Sequence, residues 1–168
     1  MNTIYYDNQF NQNELFILAL LVITITLMIV LPKRFPLSLS IMYFIIGIFM
    51  GIIFDHSSSV EPFDYYDVND SSRFEFFDFI SYIMYGPFTY LIIYFYDKLH
   101  IKGYKNSLYI IFLTAFGIAM EWICVQMGIF HYKNGYQILF SVPIYLFVNS
   151  LYLIYFHLTK KYLKTSFG

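Results

Sequence analysis

The stretch SLYIIFLTAFGIAMEWICVQMGIF, Ser107 to Phe130, holds a single charged residue, Glu121, inside a run long enough to cross a bilayer. A helix spans the hydrocarbon core with roughly 17 to 25 predominantly apolar residues. Four more runs approach that length: Leu15–Leu31, Leu37–Phe54, Phe79–Tyr96 and Ile138–His157. The expectation is an all-α, polytopic membrane helical bundle of five transmembrane helices, one domain over residues 1–168. Asp7 and Glu14, and not a basic segment, precede the first run, and no small-residue cleavage site follows it. That run therefore reads as a retained anchor and not as a signal peptide.

Composition agrees with this reading. Hydrophobic residues make up 59% of the 168 and charged residues only 12%, against roughly 25% charged in soluble domains. The chain carries 20 Phe and 18 Tyr. Its one cysteine, Cys124, lies within a span and forms no intrachain disulfide, and no Cys/His spacing suggests zinc. A net charge of −1 leaves no broad basic surface, which excludes nucleic acid as a partner.

Charge is sorted along the chain. Lys33 and Arg34 follow the first span, Lys98, Lys102 and Lys105 the third, and Lys160, Lys161 and Lys164 the fifth, eight of the ten basic residues in all. By the positive-inside rule these connections face the cytoplasm, so the N-terminus is expected outside and the C-terminus cytoplasmic. The opposite side receives the HYKNGYQ connection and the segment Asp55–Asp78, with seven carboxylates and one Arg. That segment reads as a solvated acidic external loop whose aromatics favour the membrane interface while its like charges repel anionic headgroups, which leaves its conformation open. Asp64, Asp67, Asn69 and Asp70 do not match the calcium-loop template.

On a helical wheel, Thr114, Gly117, Glu121 and Gly128 fall within an arc of roughly 60°. An ionisable group is expensive toward lipid, so this face should meet other helices, and small residues let backbones approach. Helix two presents Ser40, Gly47, Gly51 and Asp55 as a packing stripe. Gly47 and Gly51 form a Gly-x-x-x-Gly pair, used for internal packing or for a homo-oligomer. Helix three presents Asp78, Tyr82, Tyr85, Thr89 and Tyr96, and helix five Ser141, Tyr145, Asn149 and Tyr152. The candidate polar site is therefore Glu121 with Asn149, Tyr145, Tyr85 and Thr114, and desolvation favours a protonated Glu121 bonded to Asn149 or to a Tyr hydroxyl. Gly47, Gly51, Gly117 and Gly128 are the candidate packing positions. Pro87 should kink helix three. His56, His100, His131 and His157 fall at span edges and read as interfacial residues, not metal ligands. No phosphate loop, nucleophile elbow or His-Glu-x-x-His is present, so no catalytic residue, metal or cofactor is assigned.

The segment EWICVQMGIFHYKNGYQILFSVPIY, Glu121 to Tyr145, resembles a family of small multi-pass membrane proteins frequent in spore-forming Gram-positive bacteria, one without an established activity. The matching positions are Glu121, Trp122, Gly128, Tyr132, Ser141 and Tyr145, while Gly135-Tyr136 stands where such proteins often place a Trp. The resemblance implies a bacterial cytoplasmic membrane location. The order Glu, Gly, Tyr, Gly, Pro is also similar to integral membrane hydratases of carotenoid biosynthesis, which implies an enzyme on an isoprenoid. Three functions are thus open. The first is an envelope protein acting through helix packing and a membrane-protein partner, within the lipid bilayer. The second is a pocket that binds or transports a lipid or small molecule, and the third an embedded enzyme.

Overall fold

The structure is a computed structural model that describes residues 9–69 and 74–166, with side chains as far as Lys160. Asp7, Asp70 and Arg73, and the side chains of Lys161, Lys164 and Ser166, lie outside the described residues. Five helices are long and apolar enough to cross a membrane. They are α1 (Gln12–Val30), α2 (Leu37–Gly51), α3 (Phe76–Lys98), α4 (Lys105–Gln126) and α5 (Ser141–Ser166). A π-helical turn, Ile52–His56, and one further turn, Ser57–Ser59, prolong α2.

Local chemistry sets the helix ends. The Asn13 amide donates to Asn11 Oδ1 at 3.0 Å and the Asn11 amide to Glu14 Oε2 at 2.7 Å, a reciprocal cap that uses Glu14 to start α1. Asp78 does the same for α3, accepting from the Glu75 amide at 2.8 Å. At the end of α4, Ile129 N–H donates to Cys124 O at 2.8 Å and Gly128 N–H to Val125 O at 3.2 Å. With Gly128 at φ +75°, this is a Schellman stop. Gly128 therefore ends its helix and packs no neighbour, since a Cβ there would meet only His131 Cε1, at 4.0 Å. This corrects its reading as a packing glycine. The wheel carried the helix two residues too far.

Helix α3 is the centre of the bundle. Its span is 56% buried, against 22 to 28% for the other four, and its mean hydropathy of 1.3 is the lowest of the five. A helix surrounded by protein can carry hydroxyls that a lipid-facing helix cannot. Helices α1 and α2 pack against α3, and α4 pairs with α5. The glycine stripe of α2 makes the closest approach. A Cβ on Gly47 would lie 2.4 Å from the Tyr85 carbonyl oxygen, and one on Gly51 only 2.2 Å from Tyr85 Cδ2. Both glycines thus serve packing within the chain. Pro87 is fully buried inside α3, which runs unbroken from Phe76 to Lys98. Outward faces are apolar, as at Ile29, Val30 and Leu37, all more than 70% exposed.

Two clusters form the interior. The larger joins Tyr43, Tyr90, Ile93, Tyr94, Leu153 and Phe156 from α2, α3 and α5. Its hydroxyls are bonded, as at Tyr43 to Thr159 (2.8 Å) and Tyr96 to His157 (2.9 Å). At this end Asp97 accepts from Arg34 at 2.6 Å and from Lys160 at 2.7 Å, tying the α1–α2 connection to α3 and α5. Lys33, Arg34, Lys98, Lys102, Lys105 and Lys160 all sit at this basic end.

The opposite, acidic end departs from an all-helical bundle. Tyr66–Val68 forms strand β1 and Phe130–Tyr132 strand β2, antiparallel with Tyr66 opposite Tyr132 and Val68 opposite Phe130. The expected solvated loop over 55–78 is therefore corrected at both ends and in the middle. Asp55 belongs to the π turn, Asp78 caps α3, and Asp67 is 2% exposed with its carboxylate on Lys133 at 2.7 Å. Holding these three carboxylates against donors ties the segment to the bundle. Gly47→Ala should lower stability by ~1–3 kcal/mol through overpacking against α3. Unfolding in mixed detergent measures this, with the exposed Phe112→Ala as the comparison that changes little.

Candidate functional site

Strand alternation decides what the acidic end encloses. In β1, Tyr66 and Val68 point one way and Asp67 the other, as successive strand residues must. Tyr66 and Val68, with Phe130 and Tyr132 of β2, line a cavity of about 180 Å³ between the helices. Asp67 faces away, to Lys133. The turn after β2 is built by Asn134 and Gly135 at φ +50° and +78°, closed by Tyr136 N–H to Lys133 O at 2.9 Å. It holds Lys133 where its Nζ donates to Asp64 at 2.6 Å and to Asp67 at 2.7 Å.

Two carboxylates from separate helices line this one cavity. Glu121 of α4 is 7% exposed, and its Oε1 accepts from Tyr132 Oη at 2.5 Å and from Ser141 Oγ at 2.6 Å. Ser141 in turn bonds Tyr136 Oη at 2.8 Å, and the Tyr145 hydroxyl also faces Glu121. Asp55 accepts from Tyr66 Oη at 3.0 Å and, on its other oxygen, from Tyr85 Oη. Each carboxylate thus receives two hydroxyl donors. Charge-assisted bonds of this kind stabilise a buried carboxylate.

The expected site residues distribute unevenly. Glu121, Tyr145, Tyr85 and Asn149 all line the cavity. Tyr85 bonds Asp55, and the hydroxyls of Tyr132 and Ser141 take the place on Glu121 expected of Asn149. Asn149 is 5% exposed, and its carboxamide forms no hydrogen bond with any described residue. Thr114 is buried off the cavity, with Oγ1 unpartnered among the described residues. Gly117 packs against Tyr145, whose ring would lie 2.9 Å from an added Cβ. Of the positions in the resemblance, Glu121, Tyr132, Ser141 and Tyr145 converge, while Trp122 is 57% exposed on the outer face.

Asp55, Tyr66 and Tyr136 were missed as site residues. Asp55 was hidden by its place on the glycine stripe, and Tyr66 by its acidic neighbours. A usable signal was present. Asn134-Gly135 marks a tight turn, and Lys133 before it is the one cation opposite an acidic segment that alternates Tyr66, Asp67 and Val68.

No protein-family description, curated protein or solved structure matches the chain.

Burial pushes the Tyr66, Tyr132 and Tyr136 hydroxyls above the usual phenol range, and adjoining carboxylates add to this. Burial by itself would lower the Lys133 ammonium, but Asp64 and Asp67 outweigh it and hold it above its ordinary value of 10.5. Raised folded values stabilise fully below the unfolded ones and lose that contribution as pH rises through the folded ones. Stability should therefore fall above about pH 10, near the ordinary Tyr and Lys values, and less steeply in Tyr66→Phe. Unfolding midpoints between pH 7 and 11 check this. Tyr132→Phe and Ser141→Ala should each cost ~1 kcal/mol or less. Either substitution should cost less still on a Glu121→Leu background, as a double-mutant cycle reads directly.

Proposed function

We propose that the chain is a five-span protein of a bacterial cytoplasmic membrane, N-terminus outside, that binds a lipid-derived or small molecule in the cavity between Asp55 and Glu121. One observation carries this reading: acids on the turn that prolongs α2 and on α4, 66 positions apart in sequence, line one cavity. Ionisable groups at membrane depth are functional candidates by default. A largely apolar pocket with a few convergent polar groups is the usual form of a ligand site. The sorting of basic residues to one end supports the orientation.

Packing supports this over action through helix association alone. Gly47, Gly51 and Gly117 lie against Tyr85, Thr89 and Tyr145 of the same chain, so the small residues are used by its own fold. A second reading, an embedded enzyme on a lipid or isoprenoid, is favoured by the same acid pair, since acid/base chemistry needs two such groups within reach of one cavity.

Purified protein and its Glu121→Gln and Glu121→Leu variants should differ in co-purifying molecules by mass spectrometry. The expected result is a bound molecule retained by the parent and depleted in both variants while folded yield stays high. A parent that carries nothing, with yield lost in Glu121→Leu and restored in Glu121→Gln, makes Glu121 an element of packing only. For orientation, a cysteine at Ser58 should label from outside and one at Ser107 only from inside. The reverse pattern overturns the topology.

A further inference from the structure

Resting on the pocket reading, we infer that the ligand is a single-chain amphiphile with an ammonium head, seated between Asp55 and Glu121 with its chain directed toward the basic end. The cavity is long. It runs from Ser81 to Ile92 on α3, from Cys124 to Leu113 on α4 and from Ser141 to Tyr152 on α5. Eleven helical steps on each is ~16 Å, about half of a hydrocarbon core of ~30 Å. A volume of about 180 Å³ spread along that length is narrow. It suits a single chain.

The two ends of the cavity differ. Toward the basic end the walls are mostly apolar, with Leu20, Phe88, Ile92, Leu113 and Phe116 beside Thr89, Asn149 and Tyr152. At the acidic end they are Asp55 and Glu121, and among the described residues no Lys, Arg or His lines the cavity. Two carboxylates without a cation are costly in low dielectric. Each uses two of its roughly four acceptor positions on hydroxyls, which leaves room for an N–H donor. Tyr66, Tyr85, Tyr132, Tyr136 and Tyr145 surround the pair, and aromatic faces recognise ammonium groups. An anionic head would meet two like charges, and a hydroxyl head would leave the charge unmatched.

Asn149 independently points to an occupant. It is 95% buried, lines the cavity and has no hydrogen-bonding partner among the described residues. It lies eight residues beyond Ser141 on α5, ~12 Å deeper. An unpaired carboxamide at that depth is expensive, and a polar atom along the ligand's chain would satisfy it.

The test uses the full chain in nanodiscs of zwitterionic phosphatidylcholine with dodecylamine, dodecanol and dodecanoate as probes, read by the midpoint of thermal unfolding. The expected result is stabilisation by dodecylamine, with apparent affinity reduced about tenfold or more in Asp55→Asn/Glu121→Gln, and little effect of dodecanoate. The single variants give the same comparison if the double variant does not accumulate. Equal stabilisation by dodecanol and dodecylamine, unchanged in the isosteric variants but lost in the cavity-filling Met120→Trp or Leu20→Trp, overturns the ammonium head and leaves the pocket. Absence of stabilisation by any chain, or stabilisation that survives both cavity-filling variants, overturns the pocket itself.

Discussion

A carboxylate enclosed by apolar helices must find donors within the chain, and Glu121 finds them on both sides of the turn that follows its own helix. Tyr132 reaches it from β2 and Ser141 from the first turn of α5. These bonds fix where the connection between α4 and α5 returns to the bundle. Once Tyr132 is held, β2 is presented to β1, and β1 carries Tyr66 to Asp55. The acidic end is thus a chain of hydroxyl-to-carboxylate contacts, each positioning the next.

Close backbone approach makes the second half of that chain possible. The Tyr85 ring lies against Gly51 and its hydroxyl reaches Asp55 one turn further along α2. A side chain at Gly51 would push the ring away and leave Asp55 with Tyr66 alone. Gly117 plays the same part for Tyr145 beside Glu121. Glycine therefore shapes the polar site indirectly, by letting large aromatic residues pack flat enough to aim their hydroxyls. The π-helical turn that contains Asp55 is a further local irregularity of the kind often found at functional positions.

Aromatic abundance has a physical use in this setting. Tyrosine supplies packing area with one polar tip, so a bundle rich in it can bring hydroxyl donors to buried acids. At the basic end the same residues meet partners of another kind, Tyr43 with Thr159 and Tyr96 with His157. Charge there is matched across Arg34, Asp97 and Lys160. At the acidic end the ion-pair match among the described residues is outside the cavity, where Lys133 holds Asp64 and Asp67. Among the described residues the cavity keeps two acids and no base, which is the asymmetry that gives the site its chemical character.

The sequence by itself determined the number of long apolar helices, their order, the sorting of basic residues to one end and the presence of Glu121 on an inward face. All of these are local properties, set by run length, period and charge, and they are legible one helix at a time. Tertiary structure alone decided which hydroxyls reach Glu121, that Asp55 belongs with it, and that the acidic segment is ordered by a strand pair and by Lys133. Gly128 shows the boundary between the two: wheel geometry placed it on the Glu121 face, but the left-handed stop it makes removes it from the helix. Asp55 shows the same limit. Its partners Tyr66 and Tyr85 lie 11 and 30 residues away, and nothing in a helical period states which distant hydroxyl a buried acid will meet. That choice belongs to the packing of α2 on α3 and to the return of the chain after α4, where both buried carboxylates had to meet donors at once.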